Sequence, residues 1–370
     1  MREILKKSNE PFESVFNDLK LFEQTQYCYD YLKNKFLSES DDLLKEHAEI
    51  ASACFRQAKE YYSAASQTNL NANPLLYSYS LNNLLKGTCF LISCDDDILK
   101  GFKAHGFKVN ESNLYDNLLN SKITFMTQKG AVHSLLKLFD NFLDSPQDIT
   151  FNQLLRHIPD LEDVYFKSSG SVSFLAKENI NDHSEYVLVG SNLNEDVRNI
   201  FKKFGFICSI IPRDNVCIGY TNMKNKQAIT NGIYSKNNVY YREYLNIPEK
   251  FNEGLKDVNV SFYCYLLIMS YGMLVRYNAH KWEKYIDKKD SKEAILIELS
   301  IKNSVEHFFY QMHNLLFGYS YDNKPYNDYD VKRVINDSTT TIMNNITKEI
   351  EHQNIVYNSH ERLPWHKNYR

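Results

Sequence analysis

Arg276, His280 and Glu283 stand at i, i+4 and i+7, a spacing that in one helix turns a guanidinium, an imidazole and a carboxylate to the same side. Such a set can clamp a phosphate, supply an imidazole that titrates near neutrality, and orient that imidazole with a carboxylate. Those are the requirements for cleaving RNA by general acid–base chemistry. The same residues have a structural reading. An arginine at the end of an apolar helix ties down a carboxylate or a C-terminal carbonyl, and Trp282 anchors the turn that follows. His105-Gly106 is the second candidate. In a loop, a glycine lets the backbone turn close to a ligand, and the histidine becomes a base or a phosphate contact, or else a turn residue bonded to backbone.

The strongest signal for a polymer partner lies between Arg198 and Arg242. Arg198, Lys202, Lys203, Arg213, Lys224, Lys226, Lys236 and Arg242 stand there against Asp214 alone, a local charge of +7 in a chain of −3. Tyr220, Tyr234, Tyr240 and Tyr241 interleave with them, and cations beside aromatic faces are what single-stranded nucleic acid stacks upon. The alternative is a solvated basic face that balances acidic helices.

Composition and absent motifs narrow the classes. A net charge of −3 provides no global field toward nucleic acid or membrane, so contact with either must be local. Seven cysteines form no C-x-x-C pair, and no secretory leader is apparent, which suits a reducing cytoplasm. Cys54 sits on a buried stripe and reads as core rather than nucleophile. There is no P-loop, dinucleotide fingerprint, H-E-x-x-H or G-x-S-x-G, so neither cofactor nor metal is expected. Asp95-Asp96-Asp97 reads as a capping loop, and His360, Arg362 and His366 as a polar tail. A PD-(D/E)xK nuclease would need Pro159-Asp160 and Asp330 on adjacent strands, and they are far apart in the chain.

The elements that must position these residues are mostly helices. Small and apolar residues recur at threes and fours from Lys45 to Ala65, and a second helix opens at Asn73-Pro74 with Asn73 as its cap, giving an antiparallel pair. A third spans Ala131 to Leu143. Ser171–Ala176, Tyr186–Gly190, Gly205–Ile211 and Asn215–Tyr220 read as short strands, with one helix between the second and third. Helices resume over Val258–Ile286, Lys292–Phe317 and Val331–Ile355, with a loop over Gly318–Tyr329. Val258–Val275 is uncharged but short and too polar for a span, and so reads as a buried helix. The expected architecture is mainly α: a helical module over 1–167, a small α+β insert with a short mixed sheet over 168–245, and a helical module over 246–370.

Three stretches resemble the YaaC-like family of prokaryotic proteins. Ala51–Ala65 and Asn73–Gly87 are similar to its A-x-x-Y-Y-x-A helix and its Pro-led helix ending L-L-K-[AG], with the following His-Gly at His105-Gly106. Phe151–Tyr165 resembles its L-x-x-x-I-P-D-L segment. Met269–Trp282 resembles its L-V-R-Y-x-P-x-x-W helix, with Ala279 where the family has Pro. The resemblance implies a helical, prokaryotic protein and no assigned chemistry. A looser similarity is to HEPN domains, whose nucleases carry R-x4–6-H; Arg276 and His280 have three residues between them. Together these readings lead to an expectation of nucleic-acid binding or metal-independent RNA cleavage in stress or antiphage defence. The alternative is a non-enzymatic interaction subunit with a protein partner or a second copy of itself.

Overall fold

The computed structural model describes residues 4–7, 11–109, 118–139, 147–161, 164–165, 258–287 and 292–322, together with six strands between 175 and 246. In chain order the elements are β1 (Ile4–Lys7), α1 (Pro11–Leu19), α2 (Thr25–Lys35), α3 (Asp41–Ser66), α4 (Asn73–Ile92), α5 (Asp96–Lys100), β2 (Phe107–Val109), β3 (Lys122–Phe125), α6 (Ala131–Leu138), β4 (Gln147–Thr150) and α7 (Phe151–Leu155). The strands β5 (Leu175–Glu178), β6 (Glu185–Val189), β7 (Ile207–Ile211), β8 (Val216–Tyr220), β9 (Lys236–Val239) and β10 (Arg242–Asn246) follow, and then α8 (Val260–Tyr277), α9 (Ala279–Ile286), α10 (Lys292–Phe317) and β11 (Tyr319–Asp322). The protein is mainly helical, as expected from sequence.

The pair α3 and α4 forms as its spacing requires. The Ser40 hydroxyl accepts from Leu43 N–H at 3.3 Å, with Asp41 and Asp42 in the first turn, so the N-terminus of α3 is capped and its dipole met by negative charge. The helices run antiparallel, with His47 against Phe90, Tyr61 against Tyr79 and Tyr62 against Tyr77. Asn73 is the first residue of α4 rather than its cap, which is Ala72. A proline is accommodated at this point because the first helical N–H groups have no intrahelical partner.

Helix α8 is the axis of the core. Every residue from Val260 to Gly272 is buried, as befits an apolar segment enclosed by other helices. Of the described residues, one helix, Val260–Tyr277, is long and apolar enough to cross a membrane, and 78% of it is buried inside the protein, in keeping with the core-helix reading. A Cβ at Gly272 would lie 2.5 Å from Ser78 Oγ, so glycine lets α8 cross close to α4. Polar pairs lie along the axis: Tyr271 and Ser300 hydroxyls at 3.2 Å, Tyr265 donating to Asn82 Oδ1 at 2.9 Å, and His307 Nε2 with Ser261 Oγ at 3.4 Å. Cys54, Cys89 and Cys264 are buried free thiols whose ionisation burial pushes up.

Three features depart from the sequence reading. The first 165 residues contain a small antiparallel sheet, in the order β2-β3-β4, which turns Phe125 onto Phe262 of α8 with ring centroids 5.1 Å apart. Among the described residues the insert sheet is antiparallel throughout rather than mixed, with six strands in the order β7-β8-β6-β5-β10-β9. The segment after Gly318 opens as strand β11, paired in parallel with β1 from Ile4↔Tyr319 to Lys7↔Asp322. Helix α6 ends at Leu138. The expected helices at 194–204 and 331–355, the Asp330 motif and the tail histidines lie outside the described residues.

Candidate functional site

The continuous helix expected from Val258 to Ile286 is broken at Asn278, and this overturns the one-face arrangement of Arg276, His280 and Glu283. Asn278 has φ −136° and ψ 42°. Its N–H closes α8 on Leu274 O at 2.8 Å, while its carbonyl accepts from Lys281 and Trp282 N–H at 2.9 and 3.0 Å and so opens α9. One residue thus ends one helix and starts the next, and the i, i+4 register does not carry across it.

Arg276 therefore belongs to one corner. It is exposed; Nη1 donates to Tyr79 Oη at 3.3 Å, and the guanidinium lies 5.0 Å from the Tyr277 ring centre. Tyr79 in turn packs on Tyr61, with centroids 5.3 Å apart. The same guanidinium is near enough to His105 to add to partial burial in pulling that imidazole below its ordinary value. Arg276 has no carboxylate partner among the described residues. Two residues singled out separately in the sequence, Arg276 and His105, are thus brought together.

The His105 loop is positioned by backbone. The first two N–H groups of α6, on Ala131 and Val132, donate to Ala104 O and His105 O at 2.8 and 3.2 Å, and Met126 N–H donates to Gly106 O at 2.6 Å. Gly106 and Gly130 have φ of +80° and +87°, and a Cβ on Gly130 would stand 2.3 Å from Gly106 Cα. Only glycine at both positions allows the two backbones to touch. Gly106 therefore serves packing and turn geometry directly, and the histidine's position indirectly.

His280 and Glu283 lie elsewhere, in the wall of a cleft of about 980 Å³. Its other walls are the connection between α3 and α4 and the exposed side of α10. Trp282, 1% exposed, fixes α9 there by donating Nε1–H to Leu70 O at 2.8 Å, so the anchoring role read for this tryptophan is its observed one. The carboxylates Glu283, Asp287, Glu298 and Glu306 line the cleft with Lys284 and Lys302. Sequence reading missed Tyr61, Tyr79 and Tyr277 at the corner and Glu298 and Glu306 in the cleft. The four-residue steps Glu298-Lys302-Glu306 were a usable signal for a charged helix face.

The other candidates resolve unevenly. Lys236 and Arg242 fall on the β9–β10 hairpin, where Arg242 pairs with Val239 and Lys236 with Leu245. Arg198, Lys202, Lys203, Arg213, Lys224, Lys226, Tyr240 and Tyr241 lie outside the described residues. Asp95 caps α5 by accepting from Asp97 N–H at 2.9 Å, and Lys137 bridges Asp97 at 2.7 Å and Asp95 at 3.8 Å, the capping loop expected.

No curated protein and no solved structure matches the chain. A family model does, and it covers residues 20–316, a span that takes in α2 through α10, the His105 loop and both ends of the Asn278 break. The helical pair, the His-Gly turn and the Arg276 helix that first suggested a resemblance are parts of one matched whole: the chain belongs to the YaaC-like protein family.

Proposed function

We propose that this protein binds single-stranded nucleic acid, RNA foremost, through the corner formed by Arg276, His105 and their tyrosines. The observation that carries the reading is the exposed Arg276 guanidinium, without a carboxylate partner among the described residues, held by Tyr79, lying against Tyr277 and near enough to His105 to act on its charge. An arginine fork suits phosphate oxygens, and the exposed face of Tyr277 suits a base. His105, kept neutral at pH 7, contributes a hydrogen-bond donor rather than a charge. The basic run from Arg198 to Arg242 supports the same reading from sequence and would extend the track.

The reading is one of binding rather than cleavage. His280 and Glu283 line the acidic cleft, while Arg276 holds Tyr79, so the set does not converge on one phosphodiester. Anisotropy of a short fluorescein-labelled RNA tests the proposal. Affinity falls steeply between about 50 and 200 mM salt, and Arg276→Ala weakens binding about tenfold, the loss of one good phosphate contact. Salt-independent affinity, or an Arg276→Ala protein that binds like the parent, would sink the reading.

A further inference from the structure

The cleft between α9 and α10 has chemistry opposite to that of the Arg276 corner. Its volume of about 980 Å³ is at the top of the roughly 300–1,000 Å³ usual for ligand sites. Tyr62 and Tyr77 form one end, with ring centroids 5.7 Å apart and planes tilted by 57°. Glu306 is close enough to both that its charge, added to burial, pushes both phenols up. A carboxylate beside aromatic faces is a seat for an ammonium or guanidinium group: the rings attract the cation and the carboxylate neutralises it.

The rest of the lining distinguishes among cations. Glu298, Lys302 and Glu306 succeed one another at four-residue steps on α10, so anion, cation and anion alternate along about 12 Å of helix. A bare polyamine would set positive charge against Lys302. A peptide instead brings basic side chains to the two glutamates and a carbonyl to the lysine between them. Across the cleft, Asn69 and Asn71 offer amides matched to peptide groups. We propose that this cleft docks a Lys- or Arg-bearing peptide segment of a partner protein.

The test is anisotropy of a labelled peptide alternating lysine with serine, on the full-length protein at physiological salt. The expected result is saturable binding that Glu298→Gln/Glu306→Gln weakens about tenfold and Tyr77→Leu about threefold. Tyr77→Phe, which keeps the ring, leaves binding unchanged. Glu46→Gln/Glu49→Gln, which removes the same charge from exposed positions on α3, also leaves it unchanged. Equal weakening by the two double variants would reveal only a diffuse field and would overturn the proposal, as would an absence of binding. Displacement by spermidine at the same concentration as by unlabelled peptide would overturn it in favour of a polyamine site. Thermal melts matching the parent's establish that each variant is folded, and none of these outcomes depends on whether RNA binds at Arg276.

Discussion

On one side of Asn278 the protein presents an arginine to solvent with, among the described residues, tyrosines and a histidine about it; on the other, a cleft is lined with carboxylates. Four positions of sequence separate Arg276 from His280, yet their surroundings have opposite charge. Electrostatic character here is set by which neighbouring helix a residue meets, α4 for Arg276 and α10 for His280. A backbone turn of one residue is enough to change the neighbour.

Three perturbations separate or merge the two regions. Of the substitutions, Gly130→Ala should have the largest effect, about 3 kcal/mol or more in urea denaturation, because it forces a left-handed φ on a side chain that has no room. RNA affinity should fall with it as the His105 loop shifts, while peptide affinity at the cleft persists in whatever fraction stays folded. If both affinities declined equally, the corner and the cleft would not be independent.

Acid should act on both regions together through the core they share. His157 and His307 are fully buried, and burial holds both imidazoles down to about 3. An unfolded imidazole titrates near 6.5, so below that pH the unfolded chain takes up protons that the folded chain refuses. The stability is present above about pH 6.5 and is lost as pH falls toward 3. At pH 5 the loss is roughly 2 kcal/mol for each histidine. Thermal melts at pH 7, 6 and 5 should show it, and His307→Gln should flatten the dependence by about half.

Trp282→Phe should have the smallest effect, about 1–2 kcal/mol, since it removes the indole donor to Leu70 O and part of a buried ring. It loosens α9 against the α3–α4 connection, so peptide affinity should drop while RNA affinity stays. The reverse pattern in anisotropy would break the assignment of the two regions.

The long helices were legible because their apolar positions recur at threes and fours over long spans, as in α3, whereas α1, α2, α5 and α7, at 5 to 11 residues, were not read. The short strands β2, β3 and β4 were not. Lys122-Ile123-Thr124-Phe125 alternates over four residues only, too few to stand out beside the strong pattern of α6. The Asn278 break was hidden because Met269–Trp282 keeps helical spacing on both sides, and no proline marks the stop. That the Arg276 charge reaches His105 could not be read from spacing at all. It depends on the α8 crossing over α4 and on two glycines in contact, both of them long-range facts. The family resemblance supplied both motifs but not their meeting.

The parallel pairing of β1 with β11 has a consequence for how the chain is made. Ile4 finds Tyr319 only after some three hundred residues have been added, and Phe12 of α1 packs on Phe309 of α10. At about 5–20 residues per second, a ribosome takes roughly 15–60 s to cover that distance. Throughout that interval the N-terminal segment has emerged before its partners on α10 and β11 exist, with Tyr62 available to Phe12 and Phe16 in the meantime. Final closure of β1 on β11 is therefore a late event of synthesis.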